Sequence, residues 1–380
     1  MYNSMQNKTG VVITMWIAIF AAVTVLAVIS IIYLMSRFHR FRCLERLGEK
    51  HKLLSWLLAA VPVAGILSTG YFINLYTMPV VIIYFMLIWM LCDFTAWVIR
   101  KCRKQERTRN YAGGAALLLT FAVLGAGWYF AHHVYRTAYT FRSEKLEPGQ
   151  SLRIVLLADT HLSITLDGEK FAALCDRIRQ ENPDLVLIAG DFVDDESKKS
   201  DMLAACEALG RLKTTYGIYS VYGNHDVGYF RYRDFTEEEL QAALAENGVT
   251  LLRDESAEIG DSFTVTGRLD RSYSERETAQ ALTEPLDKSR YLIMLDHQPN
   301  DYGTEAAAGA DLVLSGHTHG GHVFPAGLIG LLIGANERIY GTERRGNTDF
   351  LVTSGASGWA IPFKTGCISE YCVIEVSPTD

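Results

Sequence analysis

The chain has 380 residues, enough for two or three domain-sized units. Its 36 Lys and Arg against 43 Asp and Glu give a formal charge of −7, and the C-terminal half shows no basic stripe, so a nucleic-acid partner is not expected. The seven cysteines form no CxxC pair and are odd in number, which argues against a thiolate zinc site and a full disulfide framework.

The average composition hides a split. Before about Tyr135 long apolar runs dominate; after about Ser143 the chain reads as a soluble domain of mixed charge. A membrane-spanning helix needs about 20 apolar residues. Four stretches qualify: Val11 to Met35, Leu53 to Phe72, Met78 to Ile99 and Ala112 to Ala131. The first is too long for a cleaved leader and lacks a basic start, and three more spans follow, so it reads as retained.

The connection after the first span holds Arg37, Arg40, Arg42, Arg46, Lys50 and Lys52, and that after the third holds Arg100, Lys101, Arg103, Lys104, Arg107 and Arg109. The opposite side offers only Lys8, Arg136, Arg142 and Lys145. The basic side is therefore expected in the cytoplasm, which puts both termini and the soluble domain outside a multi-pass cell-membrane protein. Asp93, within the third span, either marks an ion path or is satisfied by Arg100 or interfacial water near the basic end. Trp56, Trp89, Trp97 and Trp128 fit the spans or their interfacial belts. The expected organisation is a four-span region over 1–135, a juxtamembrane connector over 136–150 ending near Pro148-Gly149, and a soluble domain over 151–380.

From Leu152 short apolar runs alternate with helix-like stretches, the pattern of an α/β or α+β sandwich. Helices are predicted over Glu169 to Glu181, Met202 to Leu212 and Thr236 to Asn247, with a weaker one near Glu275 to Leu282. Five apolar runs end in potential metal ligands. Ile154–Ala158 leads into Asp159-Thr160-His161, Leu185–Ile188 into Asp191, and Ile218–Tyr222 into Asn224-His225-Asp226. Tyr291–Leu295 leads into Asp296-His297, and Asp311–Gly316 into His317-Thr318-His319. Such runs suit buried strands, and sites collect where loops leave the carboxyl ends of strands. If the five strands are neighbours, these side chains converge on one edge. None of the five sets is decisive alone; their ordered combination is. Cys367 and Cys372 either pair, if their region faces an oxidising compartment, or are small buried apolar groups.

The order DTH, GDFVD, GNHD, DHQP, GHTHGGH resembles the calcineurin-like metallophosphoesterase family over Leu152 to Val376. It is most similar to bacterial membrane-associated members, which include hydrolases of nucleotide-linked lipid precursors such as UDP-diacylglucosamine. The resemblance implies a four-layer sandwich of two mixed β-sheets flanked by helices. It also implies that Asp159, His161 and His319 bind one divalent metal ion, that Asn224, His297 and His317 bind a second, and that Asp191 bridges them. His225 would face the substrate phosphate. Relatives often carry Gln where this chain has His322, which leaves that residue as a supporting group, a substrate contact or a silent replacement.

Two divalent ions can hold the attacking and leaving oxygens of an in-line displacement and activate water near neutral pH, so no Ser or Cys nucleophile is required. An all-N/O ligand set suits Mn, Fe, Zn, Co or Ni. His225 would give a proton to the leaving oxygen or stabilise phosphoryl charge. Asp226 would orient that ring or serve as a turn residue. Asp194 and Asp195 read as loop or helix-capping residues, and Asp296 as a partner of His297. Tyr229, Phe230, Arg231 and Tyr232 would flank the pocket or pack within the domain.

The expected activity is hydrolysis of a phosphate ester or pyrophosphate bond in a phosphorylated small molecule or lipid-linked substrate, with membrane lipid as a partner. The alternative is a membrane sensor or transport-associated protein whose metal domain binds without turning over. The apolar run Val323 to Gly334 either dips into the membrane interface, receives an acyl chain, or packs inside the sandwich.

Overall fold

A computed structural model describes residues 2–104, 110–228 and 233–379, with the side chains of 2–20 left aside. Arg107, Arg109 and the Tyr229–Tyr232 run lie outside what is described, as does the side chain of Lys8. The chain divides into two compact units, Met1–Ala126 and Gly127–Asp380.

The first unit is helical: α1 (Tyr2–His39), α2 (Arg42–Lys50), α3 (Lys52–Leu67), α4 (Thr69–Phe72), α5 (Thr77–Arg103) and most of α6 (Tyr111–His132). Four segments are long and apolar enough to cross a membrane: Ala21–His39, Lys52–Phe72, Thr77–Arg103 and Tyr111–His132. Pro62 lies inside α3. Asp93 on α5 finds its partners on α1, not at Arg100. Arg37 Nε lies 3.0 Å from Asp93 Oδ2, and the Tyr33 hydroxyl donates to the same oxygen at 3.1 Å. A charged pair of this kind is the usual way a carboxylate is accommodated among apolar helices.

The second unit carries two six-stranded mixed sheets. The first has β1 (Val134–Ser143), β2 (Leu152–Leu157), β3 (Leu185–Ala189), β4 (Ile218–Val221), β5 (Val249–Leu251) and, at the chain's end, Ser369–Pro378. Helices α7 (Gly168–Gln180), α8 (Lys199–Gly210) and α9 (Glu237–Glu246) intervene. The second sheet uses β6 (Glu255–Ile259), β7 (Phe263–Gly267), β8 (Tyr291–Leu295), β9 (Leu312–Ser315), β10 (Gly341–Arg345) and β11 (Thr348–Val352). With it come α10 (Ala279–Thr283), α11 (Tyr302–Ala307) and α12 (Ala326–Leu332). Ser369–Pro378 is β12. The strand orders are β1-β12-β2-β3-β4-β5 and β10-β11-β9-β8-β7-β6.

The central strands are apolar on both faces because both are covered. Val155, Leu157, Val186 and Ile188 point to a core shared with α7, α8 and α9. Ile154, Leu156, Leu185 and Leu187 point the other way and meet Ile293, Leu295, Leu312 and Leu314 between the sheets. Beyond the second sheet Met294, Val313, Phe350 and Val352 pack with Ala279 and Tyr302 of α10 and α11. The result is four layers, as the family resemblance implies.

Three features depart from the sequence reading. The five ligand-bearing strands are not one run of neighbours: β2, β3 and β4 adjoin in the first sheet, β8 and β9 in the second. The segment read as a connector holds β1, which pairs in parallel with β12 along its whole length, from Val134 opposite Ser369 to Ser143 opposite Pro378. Along it Tyr135, Thr137, Tyr139 and Phe141 are covered while Arg136, Ala138, Thr140 and Arg142 are exposed, the period-two alternation of an edge strand with one open face. Cys367 and Cys372 are free thiols, the second within the core of β12 and the first donating to the His319 carbonyl.

Leu187 is fully buried at the middle of the inter-sheet core. Leu187→Ala is expected to lower stability by about 2–5 kcal/mol, read as a fall in the denaturant midpoint of the detergent-solubilised chain.

Candidate metal centre

The loops that leave β2, β3, β4, β8 and β9 at their carboxyl ends meet at one edge of the sandwich. There Asp159, His161 and His319 bring one potential ligand atom each to within 4.8 Å of one another, and Asp191, His297 and His317 form a second such group. Asn224 joins the second group, its Oδ1 2.9 Å from His317 Nδ1. Asp191 lies between them: its Oδ2 is 3.1 Å from His297 Nε2 and 3.6 Å from His161 Nε2. The structure thus brings the sequence-predicted ligand candidates into two adjoining groups, with the Asp191 carboxylate facing a histidine of each.

The backbone bends sharply to do this. Asp159, His161, Asp191, His317 and His319 all have positive φ, between 37° and 69°, a region that L-residues with side chains rarely occupy. Such strain persists only where its surroundings over-determine it and clusters at functional sites. Gly190 (φ 84°) precedes Asp191; a Cβ there would lie 2.6 Å from His297 Nδ1, so the approach of the two loops requires glycine.

Three of the four imidazoles have a polar group on their far side. His297 Nδ1 is 2.8 Å from the Ala189 carbonyl, and His319 Nδ1 is 3.2 Å from that of Ser357. His161 Nδ1 faces Asp194 Oδ2 at 3.3 Å. Donation from Nδ1 of His297 and of His319 leaves their Nε2 atoms to face the shared space, the usual support for an imidazole ligand, while the Asp194 carboxylate lies beside His161 Nδ1 without a hydrogen bond to it. Asp194, read from the sequence as a loop or capping residue, is thus a carboxylate partner of His161. Its place three residues after Asp191, on the same loop, is the signal that identifies it.

Two expectations change. Asp226 is buried, but it does not orient His225. Its Oδ2 accepts from the backbone N–H of Asp191 (2.8 Å) and of Gly223 (2.7 Å), and its Oδ1 from that of Val193 (3.1 Å), so it ties the Asp191 loop to the Gly223 loop. Burial, with the Asp191 charge beside it, pushes this carboxyl up. Asp296 turns away from His297 to the buried Arg268 (Nη1 2.8 Å) and to Arg276. Both guanidinium contacts fall on Oδ2, and His297 takes its Nδ1 partner from the Ala189 carbonyl instead. His322 Nε2 lies 3.1 Å from the Ile361 carbonyl, a backbone anchor rather than a free group.

His225 sits at the edge of the cluster, its ring 5.2 Å from that of His161 and 5.4 Å from Trp359. Its own N–H donates to Asp191 Oδ1 at 2.8 Å.

The residues fit divalent metal ions. Asp159 Oδ2 and His161 Nε2 are buried and, among the described residues, make no hydrogen bond, which a protein interior tolerates poorly. Burial raises the Asp159 carboxyl to about 6. It also opposes ionisation of Asp191, but the His297 charge, with His225 and His161 around it, outweighs burial and holds that carboxyl well below the usual range. Two carboxylates and four imidazoles packed this closely compete for protons; cations would satisfy them together.

Comparison with known proteins agrees. The calcineurin-like phosphoesterase family profile matches residues 152–321. A metallophosphoesterase of Aquifex aeolicus is 34% identical over 197 residues, covering 50% of this chain and 71% of that protein. One of Helicobacter pylori is 32% identical over 237 residues, covering 60% of each, so the chain spans about three-fifths of that relative's length. A zebrafish protein described as a transmembrane protein with a metallophosphoesterase domain is 30% identical over 241 residues, 60% of this chain and 54% of its own. The chain belongs to the calcineurin-like metallophosphoesterase family.

Proposed function

We propose that this chain is a membrane-anchored phosphoesterase that hydrolyses a phosphate ester or pyrophosphate bond with two divalent metal ions. The observation that carries this reading is the position of Asp191, whose carboxylate faces both His161 and His297. In this reading Asp159, His161 and His319 hold one ion, Asn224, His297 and His317 the other, and Asp191 both. Bound there, the ions supply Lewis-acid activation of water and neutralise phosphoryl charge. The N and O ligands are compatible with Mn, Fe or Zn.

The chain's own groups do the rest. His225, at the rim beside the half-exposed Trp359, hydrogen-bonds the phosphoryl group and assists departure of the leaving oxygen. Asp226 acts on the reaction through the backbone, by fixing the loops that carry Asp191 and Asn224. Asp194 keeps His161 in its tautomer and orientation. The four apolar helices anchor the domain, and the basic connections support a cytoplasmic face opposite the domain, hence an extracytoplasmic site. An anchored phosphoesterase has its richest supply of phosphate esters in lipids, so the substrate is read as lipid-linked or nucleotide-linked.

Asp191→Asn should drop turnover of an aryl phosphoester at least about a thousandfold, with fewer than two equivalents of Mn or Zn retained after desalting, measured by elemental analysis. His225→Ala should keep both equivalents while losing about 10²–10⁴-fold in kcat. A sensor domain that only binds would show little change in that variant. Asp194→Asn should weaken metal affinity by about 10–100-fold, read by competition with a chelating dye.

A further inference from the structure

The second unit is polar outside except along one segment. Residues 323–336 carry no charged side chain. Within them Phe324, Leu328, Ile329, Leu331, Leu332 and Ile333 stand open to solvent, Leu332 at 86%, and α12 buries none of its residues. Apart from these, only Trp128, Tyr129, Leu203, Tyr216 and Trp359 are exposed large apolar residues among the described part of this unit. A contiguous patch of this kind calls for an occupant.

Its position indicates which. The root of α12 is bound to the metal-ligand loop, since a Cβ on Gly327 would meet Gly321 Cα at 2.5 Å. The same root is bound to residues 363–369. The Phe324 N–H donates to Thr365 Oγ1 (3.0 Å), and the Thr365 and Gly366 N–H groups donate to the His322 carbonyl (2.9 Å each). On its other side that segment seats the last turns of α6. The Lys364 N–H donates to the Gly127 carbonyl (2.9 Å), Ser369 Oγ donates to the Ala131 carbonyl (3.1 Å), and Phe363 meets Trp128 edge-on at 5.5 Å. Trp128 and Tyr129, both half-exposed, are the residues expected where a helix leaves the hydrocarbon. One short segment therefore holds both the exit of the fourth apolar helix and the root of the exposed apolar one.

We infer that α12 and its flanks insert into the bilayer leaflet that α6 leaves, and that the site admits a phosphoester still embedded in that leaflet. A helix of seven residues is about 10 Å long, too short to cross a hydrocarbon core of about 30 Å, so it lies in the interface with its apolar side chains reaching roughly 5–10 Å in. Trp359, half-exposed with its ring 5.4 Å from that of His225, adds an open apolar side chain beside the reacting groups. Access from the bilayer rests on the phosphoesterase reading above; insertion of α12 does not.

The test uses the full chain, with the exposed Cys43 and Cys102 changed to Ser, in vesicles of phosphatidylcholine and phosphatidylglycerol. An environment-sensitive dye is attached in Leu332→Cys and, as an aqueous control, in Glu258→Cys on β6, whose side chain is 75% exposed. Insertion predicts that the Leu332 dye is quenched by acyl-chain spin labels and shielded from iodide, with the reverse at Glu258. Quenching by iodide alone at both sites, or self-quenching that reports a second copy against α12, overturns insertion. For access, Leu328→Ser/Leu332→Ser/Ile333→Ser is assayed on phosphatidic acid and CDP-diacylglycerol in the same vesicles and on soluble bis-p-nitrophenyl phosphate. Vesicle-borne turnover should fall at least about tenfold while the soluble ester stays within about twofold. Equal effects on both, or a parent chain active on the soluble ester alone, overturn bilayer access. A parent chain inactive on every ester would count against the phosphoesterase reading, with the quenching result still deciding insertion.

Discussion

Asp191 is the residue on which the rest of the site depends. It leaves a strand of the first sheet, yet its carboxylate lies 3.1 Å from His297, which leaves a strand of the second. Stacked sheets lie about 10 Å apart, so this meeting requires that both sets of parallel strands end at the same edge and that their loops lean inward. The core between the sheets holds that alignment through the side chains of β2, β3, β8 and β9. Gly190 and Gly223 let the two loops come within contact distance, where any side chain would strike His297 or Asp191.

Around this carboxylate the protein uses backbone groups to aim side chains and side chains to fix backbone. Main-chain carbonyls of Ala189 and Ser357 orient His297 and His319, while Asp226 spends its carboxylate on three main-chain N–H groups. The arrangement explains how five of the clustered residues stay in left-handed backbone conformations. Hydrogen bonds run between these loops, from the Asp159 N–H to the Gly190 carbonyl, from the His161 N–H to the Asp191 carbonyl and from the His317 N–H to Asp159 Oδ1, so relaxation of one loop would break contacts of another. Arg268 extends the same logic outward, neutralising Asp296 and Glu305 in a place from which water is excluded.

The second unit begins with the last turns of α6 and carries the metal-centre loops. The end of α6 continues into β1 with only His133 between them, and β1 is an edge strand of the sheet that supplies Asp159 and Asp191. The segment after Phe363 then links that helix end to the loop bearing His319 and to the exposed apolar α12.

Much was legible in the amino-acid order because it depends on local periodicity and residue chemistry. Four long apolar runs, strands buried on both faces and helices at their expected places need no knowledge of what packs where. The candidate ligands were equally legible, because each sits directly after such a strand and the types are those that bind metals. Tertiary structure decided what depends on direction and on distant partners. It divided the five strands between two sheets, paired β1 with the distant β12, and turned Asp226 to backbone amides and Asp296 to Arg268. It brought Asp194 to His161 and left α12 uncovered. In each case the deciding contact joins groups far apart along the chain or rests on a side-chain direction, and neither is written in local sequence.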